Sequence, residues 1–82
     1  MKEKLIEIIR DRMLNLIKKA YEDDRLKQSP MQGLHIQNLL ASASETYKEG
    51  FVEKKELFGL TEKEIAEIID RVHHEIIDEL FD

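Results

Sequence analysis

Asp70, His74 and Asp78 stand at i, i+4 and i+8 in the segment DRVHHEIID, so on a helix they share one face. Adjacent members of that row could hold a divalent ion weakly between a carboxylate and an imidazole. His73 and His74 cannot easily share an ion, because neighbours on a helix point about 100° apart. Nothing distant clearly completes the set except His35, whose position depends on the fold. The plainer reading is a solvated acidic face with His73 on the rim of the core, so neither a metal nor a cofactor is expected. The hydroxyls of Ser29, Ser42, Ser44, Thr46 and Thr61 have no evident base partner, and Gly33, Gly50 and Gly59 are too scattered to form a phosphate-cradling loop. An enzyme is not expected.

A second pattern overlaps the histidine row. VEKKELFG, then Gly59-Leu60, then TEKEIAEIIDR locally resembles a helix-turn-helix, which would imply a DNA-binding regulator using residues 52–71. The charge argues against it. Affinity for nucleic acid rests largely on cations against phosphates, whereas the second helix offers Glu62, Glu64, Glu67 and Asp70 against Lys63 and Arg71. Nucleic acid is therefore not an expected partner, and the DNA-binding reading stands as the alternative.

The elements that must position these residues are helices. Leu, Ile, Glu and Lys dominate, with a single Pro and three Gly in 82 residues, a length that accommodates one domain. The spacing predicts a small all-α bundle of three helices, up-down-up, with a fourth, short helix at 52–58 as a variant. The first helix is expected over about 2–23. Leu5, Ile9, Leu16 and Ala20 form one seam, with Ile6, Met13, Ile17 and Tyr21 beside it and Leu14 further round. The second is expected over about 30–49, or on to 58. Ser29 caps it, Pro30 sits at its first position, Gln32 completes a capping box, and Ile36, Leu39, Leu40, Ala43 and Tyr47 form its stripe. Gly50 leaves two readings open: it ends the helix, or the helix passes through it to Phe51 and beyond. Small side chains in LLASASETY allow a neighbouring helix to approach Ala43 closely. The third helix, about 61–81, has the best-marked start: Thr61 as N-cap, Glu64 closing the capping box, and Leu60 with Ile65 as a hydrophobic staple.

Charge is unevenly placed. Residues 1–27 hold 8 basic and 6 acidic side chains, net +2, while residues 61–82 hold 2 and 8, net −6. Leu5, Ile8, Ile9, Leu16 and Ile17 recur as Ile65, Ile68, Ile69, Ile76 and Ile77, a constant offset of 60. In an up-down-up bundle those two helices run parallel, and a basic rim then meets an acidic one.

Their apolar residues span roughly 240° and 220° of arc at 100° per residue, wider than the sector of somewhat over 100° typical of globular helices. That breadth predicts an interface at Ile6, Leu14, Ile17, Tyr21, Ile77 and Phe81. The chain is thus expected to be a small interaction or regulatory module that docks helix faces. Its partner would be a second copy in a homodimer, or another protein with a basic or apolar surface. No cysteine is present, and Glu7, Arg10 and Asp11 interrupt the apolar residues near the N-terminus. No stretch approaches the ~20 apolar residues of a membrane span. A cytoplasmic protein without a membrane segment is expected.

Overall fold

The computed structural model describes residues 2–23, 25 and 30–81, and among these three main helices and one single-turn helix pack together. The main helices are α1 (Lys2–Glu22), α2 (Gln32–Glu53) and α4 (Glu62–Phe81); the single turn is α3 (Lys55–Phe58). Each main helix packs on the other two. Ion pairs fix their directions. Lys2 meets Glu64 at 3.0 Å near the starts of α1 and α4, and Arg10 meets Glu79 at 2.7 Å further along, so α1 and α4 run parallel. Lys48 late in α2 reaches Asp70 midway along α4 at 2.8 Å, and Gly33 at the start of α2 lies against Phe81 at the end of α4. That pair of helices is antiparallel, and the bundle is up-down-up.

The core consists of Leu5, Ile9, Met13, Ile17 and Ala20 from α1, Ile36, Leu40, Ala43 and Phe51 from α2, and Ile65, Ile68, Ile69, Val72 and Ile76 from α4. On α1 this corrects the expected seam. The buried row runs 5, 9, 13, 17 in steps of four, and Leu16 is left half-buried. Each step of four turns the row about 40° further round the helix, as it must when one helix is wedged between two neighbours. Ser44 is buried among these residues, and its hydroxyl donates to the Leu40 carbonyl at 3.0 Å. That bond removes the cost of enclosing a polar group.

The helix ends follow local chemistry at some places and packing at others. At α4 the Thr61 hydroxyl accepts from Glu64 N–H at 3.1 Å, and the Glu64 carboxylate accepts from Thr61 N–H at 3.2 Å, the reciprocal box expected. Two orphan N–H groups are thereby satisfied. At α2 the start falls later than expected: Met31 is the N-cap, without a side-chain cap, and Pro30 lies in the preceding turn. Ser29 lies outside the described residues.

Neither reading of Gly50 holds to the end. α2 passes through it and stops three residues later, at Glu53, with Lys54 as the C-cap, whose φ of −106° and ψ of 16° leave the helical region. Phe51 explains the passage. Its ring is 6% exposed, edge-on to Tyr47 at 6.4 Å and tilted against Phe58 at 5.6 Å, with the Arg12 guanidinium 5.1 Å above it. Burying a Phe is worth roughly 1.5–3 kcal/mol, against about 1 kcal/mol lost to a mid-helix glycine. The break at Lys54 resets the phase, so Phe58 turns inward and Leu57 is left 73% exposed. Gly59 ends α3 in the left-handed region at φ 65°. Its N–H donates to Glu56 O and that of Leu60 to Lys55 O, the paired bonds of a Schellman turn.

Candidate interaction surfaces

Once the core is closed, large apolar side chains still face water. Leu14, Tyr21, Met31, Leu34 and Phe81 are between 39% and 56% exposed. The directions of the helices place Tyr21, Met31, Leu34 and Phe81 toward one end of the bundle, where α1 ends, α2 begins and α4 ends, while Leu14 lies near the middle of α1 and Leu57, 73% exposed, lies on α3. Two faces stand out.

The first face is the outer side of α1. Glu7, Asp11, Leu14, Lys18 and Tyr21 are all exposed and follow one another at spacings of 4, 3, 4 and 3. At that spacing they line one stripe; Glu7, Asp11, Leu14 and Lys18 turn away from the buried row 5, 9, 13, 17, and Tyr21, four residues past Ile17, stands at the edge between the two. The charges at the α1–α4 seam are engaged: Arg10 donates to both oxygens of Glu79 and lies 3.9 Å from Glu75. Among the described residues Glu7, Asp11 and Lys18 have no ion-pair partner.

The second face is a shallow groove of about 380 Å³ between α2 and α4, lined by Gln37, Asn38, Ala41, His73, His74 and Ile77. Ala41, from the small-residue run, leaves the space. Phe81 continues the groove toward Gly33, where a Cβ would come 3.3 Å from its ring. A side chain at this position would need the Phe81 ring to give by a few tenths of an ångström. The His73 and His74 rings stack at 5.9 Å and 24°, although their positions on the helix diverge. Burial, and then the neighbouring His74, pull the His73 pKa below its ordinary 6.5, with Asp70 opposing and Lys48 adding to the drop.

The six expected interface residues do not form one surface. Leu14 and Tyr21 lie on the α1 face, and Ile77 and Phe81 on the α2–α4 side. Ile6 is half-buried over the core and lines a separate shallow groove with Lys2, Glu64, Glu67, Ile68 and Arg71. Ile17 is 5% exposed and is a core residue of the chain itself, which takes it off the surface expected of it. The reason is the drift of the buried row, which turns Ile17 under α4. What the spacing alone did not reveal is the contribution of α2. Leu34 at 48% is more exposed than Leu14, and it lies outside the stripe that marked the core side.

The Asp70, His74 and Asp78 row is not gathered into a metal site. Lys48 engages Asp70, and His74 lies against His73. Among the described residues no group of three or more His, Asp or Glu side chains is placed to hold a metal ion. The helix-turn-helix likeness also changes shape. Its first helix is the single turn α3, and α4 leaves exposed Glu62, Glu67, Asp70, Asp78 and Glu79 against Lys63 and Arg71. No helix among the described residues is long and apolar enough to cross a membrane. Comparison with family models, with curated proteins and with solved structures finds no match to this chain.

Proposed function

We propose that the chain is a protein-interaction module that docks a helix face against another polypeptide and carries out no reaction of its own. One observation supports this above the rest: a core complete in itself, with Tyr21, Met31, Leu34 and Phe81 left 39–56% exposed toward one end, Leu14 40% exposed near the middle of α1, and Leu57 73% exposed on α3. Each forgoes on the order of 1 kcal/mol of burial, a heavy total for a domain whose whole stability is about 5 kcal/mol or somewhat more. Apolar residues gathered in this way mark docking surfaces more often than they mark idle ones. The acidic outer face of α4, with Glu67 and Asp78, favours a basic or apolar partner and disfavours nucleic acid. A chain without cysteine fits a reducing compartment such as the cytoplasm.

The test compares the unaltered chain with a Leu14→Lys, Leu34→Ser, Phe81→Ser variant of equal helicity. Proteins captured from the source cells by the first and not by the second are identified, purified and rebound in isolation. A purified partner, or the chain itself, bound in a manner that needs those side chains is the expected result. If every purified candidate, and the chain itself, binds both forms equally or not at all, the proposal fails.

A further inference from the structure

We infer that the outer stripe of α1 is the contact of a twofold homodimer in which two α1 helices pack antiparallel, centred on Leu14. The inference rests on the binding reading above and names its partner as a second copy of this chain. The stripe Glu7, Asp11, Leu14, Lys18, Tyr21 is exposed throughout and has the 4-3-4-3 spacing that keeps one face of a helix toward a neighbour, with Leu14 and Tyr21 as its apolar members and three charges between and beside them. It runs about 21 Å, fourteen rises of 1.5 Å. Between Glu7 and Tyr21 its charge is divided about its centre: Glu7 and Asp11 stand on the N-terminal side of Leu14 and Lys18 on the C-terminal side, with the exposed Lys4 one step beyond Glu7. Those charges have no ion-pair partner among the described residues, while the cations Lys2 and Arg10 toward the α1–α4 seam are paired.

Twofold symmetry makes any such contact reciprocal. With Leu14 beside Leu14 on the axis, Asp11 of each copy stands within one residue's rise, about 1.5 Å, of the level of Lys18 of the other, close enough for one contact to yield two ion pairs. Glu7 falls opposite Tyr21, whose phenol donates to the carboxylate. A parallel pairing would set Asp11 on Asp11 and Lys18 on Lys18, and like charges exclude it. Contact along one helix face belongs with the small, transient interfaces below about 1,200 Å², so association is expected on the order of 100 µM chain.

Sedimentation equilibrium on the full chain up to about 1 mM tests the pairing with exposed-site variants that leave the core untouched; each is first checked for unchanged helicity and melting. The unaltered chain is expected to dimerise. Leu14→Lys, Asp11→Lys and Lys18→Asp alone should each weaken dimerisation roughly tenfold or more. An equimolar mixture of Asp11→Lys with Lys18→Asp should recover it as a heterodimer, because both cross pairs are then opposite in sign. A chain that stays monomeric throughout overturns the homodimer and leaves docking to a foreign partner standing. A dimer indifferent to Leu14→Lys and to the charge reversals overturns this stripe and moves self-association to another face. A dimer weakened by Leu14→Lys but not by Asp11→Lys overturns the antiparallel register.

Discussion

Gly50→Ala should stabilise the protein, although Gly50 lies where a helix stop was one of two readings. The residue is inside α2, is exposed, and does not have a positive φ. A Cβ built there meets nothing within 4 Å. The methyl therefore adds no strain and little burial, and what remains is backbone freedom. An alanine in a helix interior is about 1 kcal/mol better than a glycine, because the unfolded chain has less freedom to lose. For a domain of this size that raises the melting temperature by roughly 4–8 °C. In urea the midpoint moves up by roughly 0.3–1 M at unchanged slope. Thermal and urea unfolding followed by far-ultraviolet circular dichroism measure both. Gly59→Ala is the control of opposite sign. It too meets nothing within 4 Å, but its φ of 65° is strained for any residue with a Cβ, so the same substitution should cost about 1–2 kcal/mol. If Gly50→Ala loses stability, α2 does not run continuously through residue 50, and the placement of Phe51 in the core falls with it.

Further outcomes follow from the same geometry. Thr61→Ala removes the hydroxyl that accepts from Glu64 N–H and should cost about 1 kcal/mol, read as a lower urea midpoint. Ile69→Ala empties a side chain that is 0% exposed at the centre of α4. A cost of about 2–5 kcal/mol is expected, enough to leave much of the population unfolded at 37 °C by circular dichroism. For His73, burial beside His74 depresses the folded-state pKa below the ordinary 6.5. Between those two values the unfolded chain binds a proton that the folded chain refuses. This contribution to stability is therefore full above about pH 6.5, declines as pH falls through the window, and levels off below the folded-state pKa. Melting curves taken across that window should flatten in His73→Leu, and an unchanged slope would sink the assignment.

Local signals carried α4 from sequence to structure almost intact. Thr61 and Glu64 close a box within four residues, and Ile65, Ile68, Ile69, Val72 and Ile76 keep a helical period, so nothing distant is needed to place them. α2 is different because its limits depend on other elements. Its start slipped past Ser29 and Pro30 to Gln32, and its end moved to Glu53 because Phe51 is anchored by Tyr47, Phe58 and Arg12, two of them outside the helix. The candidate surface was legible in part for a similar reason. Angular position puts Leu14 beyond both seams of α1, while Tyr21 shares a seam with the buried Met13 and Ile17 and is left 40% exposed. Whether Ile17 or Leu16 is covered depends on how α1 crosses its neighbours, and periodicity does not contain that angle. The Phe81 ring over Gly33 joins residues 48 positions apart, and no local pattern announces it.

One choice the apolar pattern leaves open is the handedness of the bundle. Three amphipathic helices in up-down-up order can close with α4 on either side of the α1–α2 pair, and both arrangements bury much the same Leu and Ile side chains. The rims of α1 distinguish them. Arg10 lies on one flank and Arg12, two residues on and about 160° of arc away, on the other. In the observed hand Arg10 clamps Glu75 and Glu79 of α4, while Arg12 sits over Phe51 of α2. The opposite hand would offer Arg10 to α2 and lose the bidentate pair with Glu79. Each exposed pair is worth only a few tenths of a kcal/mol to about 1, too little to hold the fold together. Yet when burial is equal on both sides, even about 1 kcal/mol favours one hand roughly fivefold. On that reasoning the Arg10 pairs contribute more to which hand forms than to how stable the bundle is.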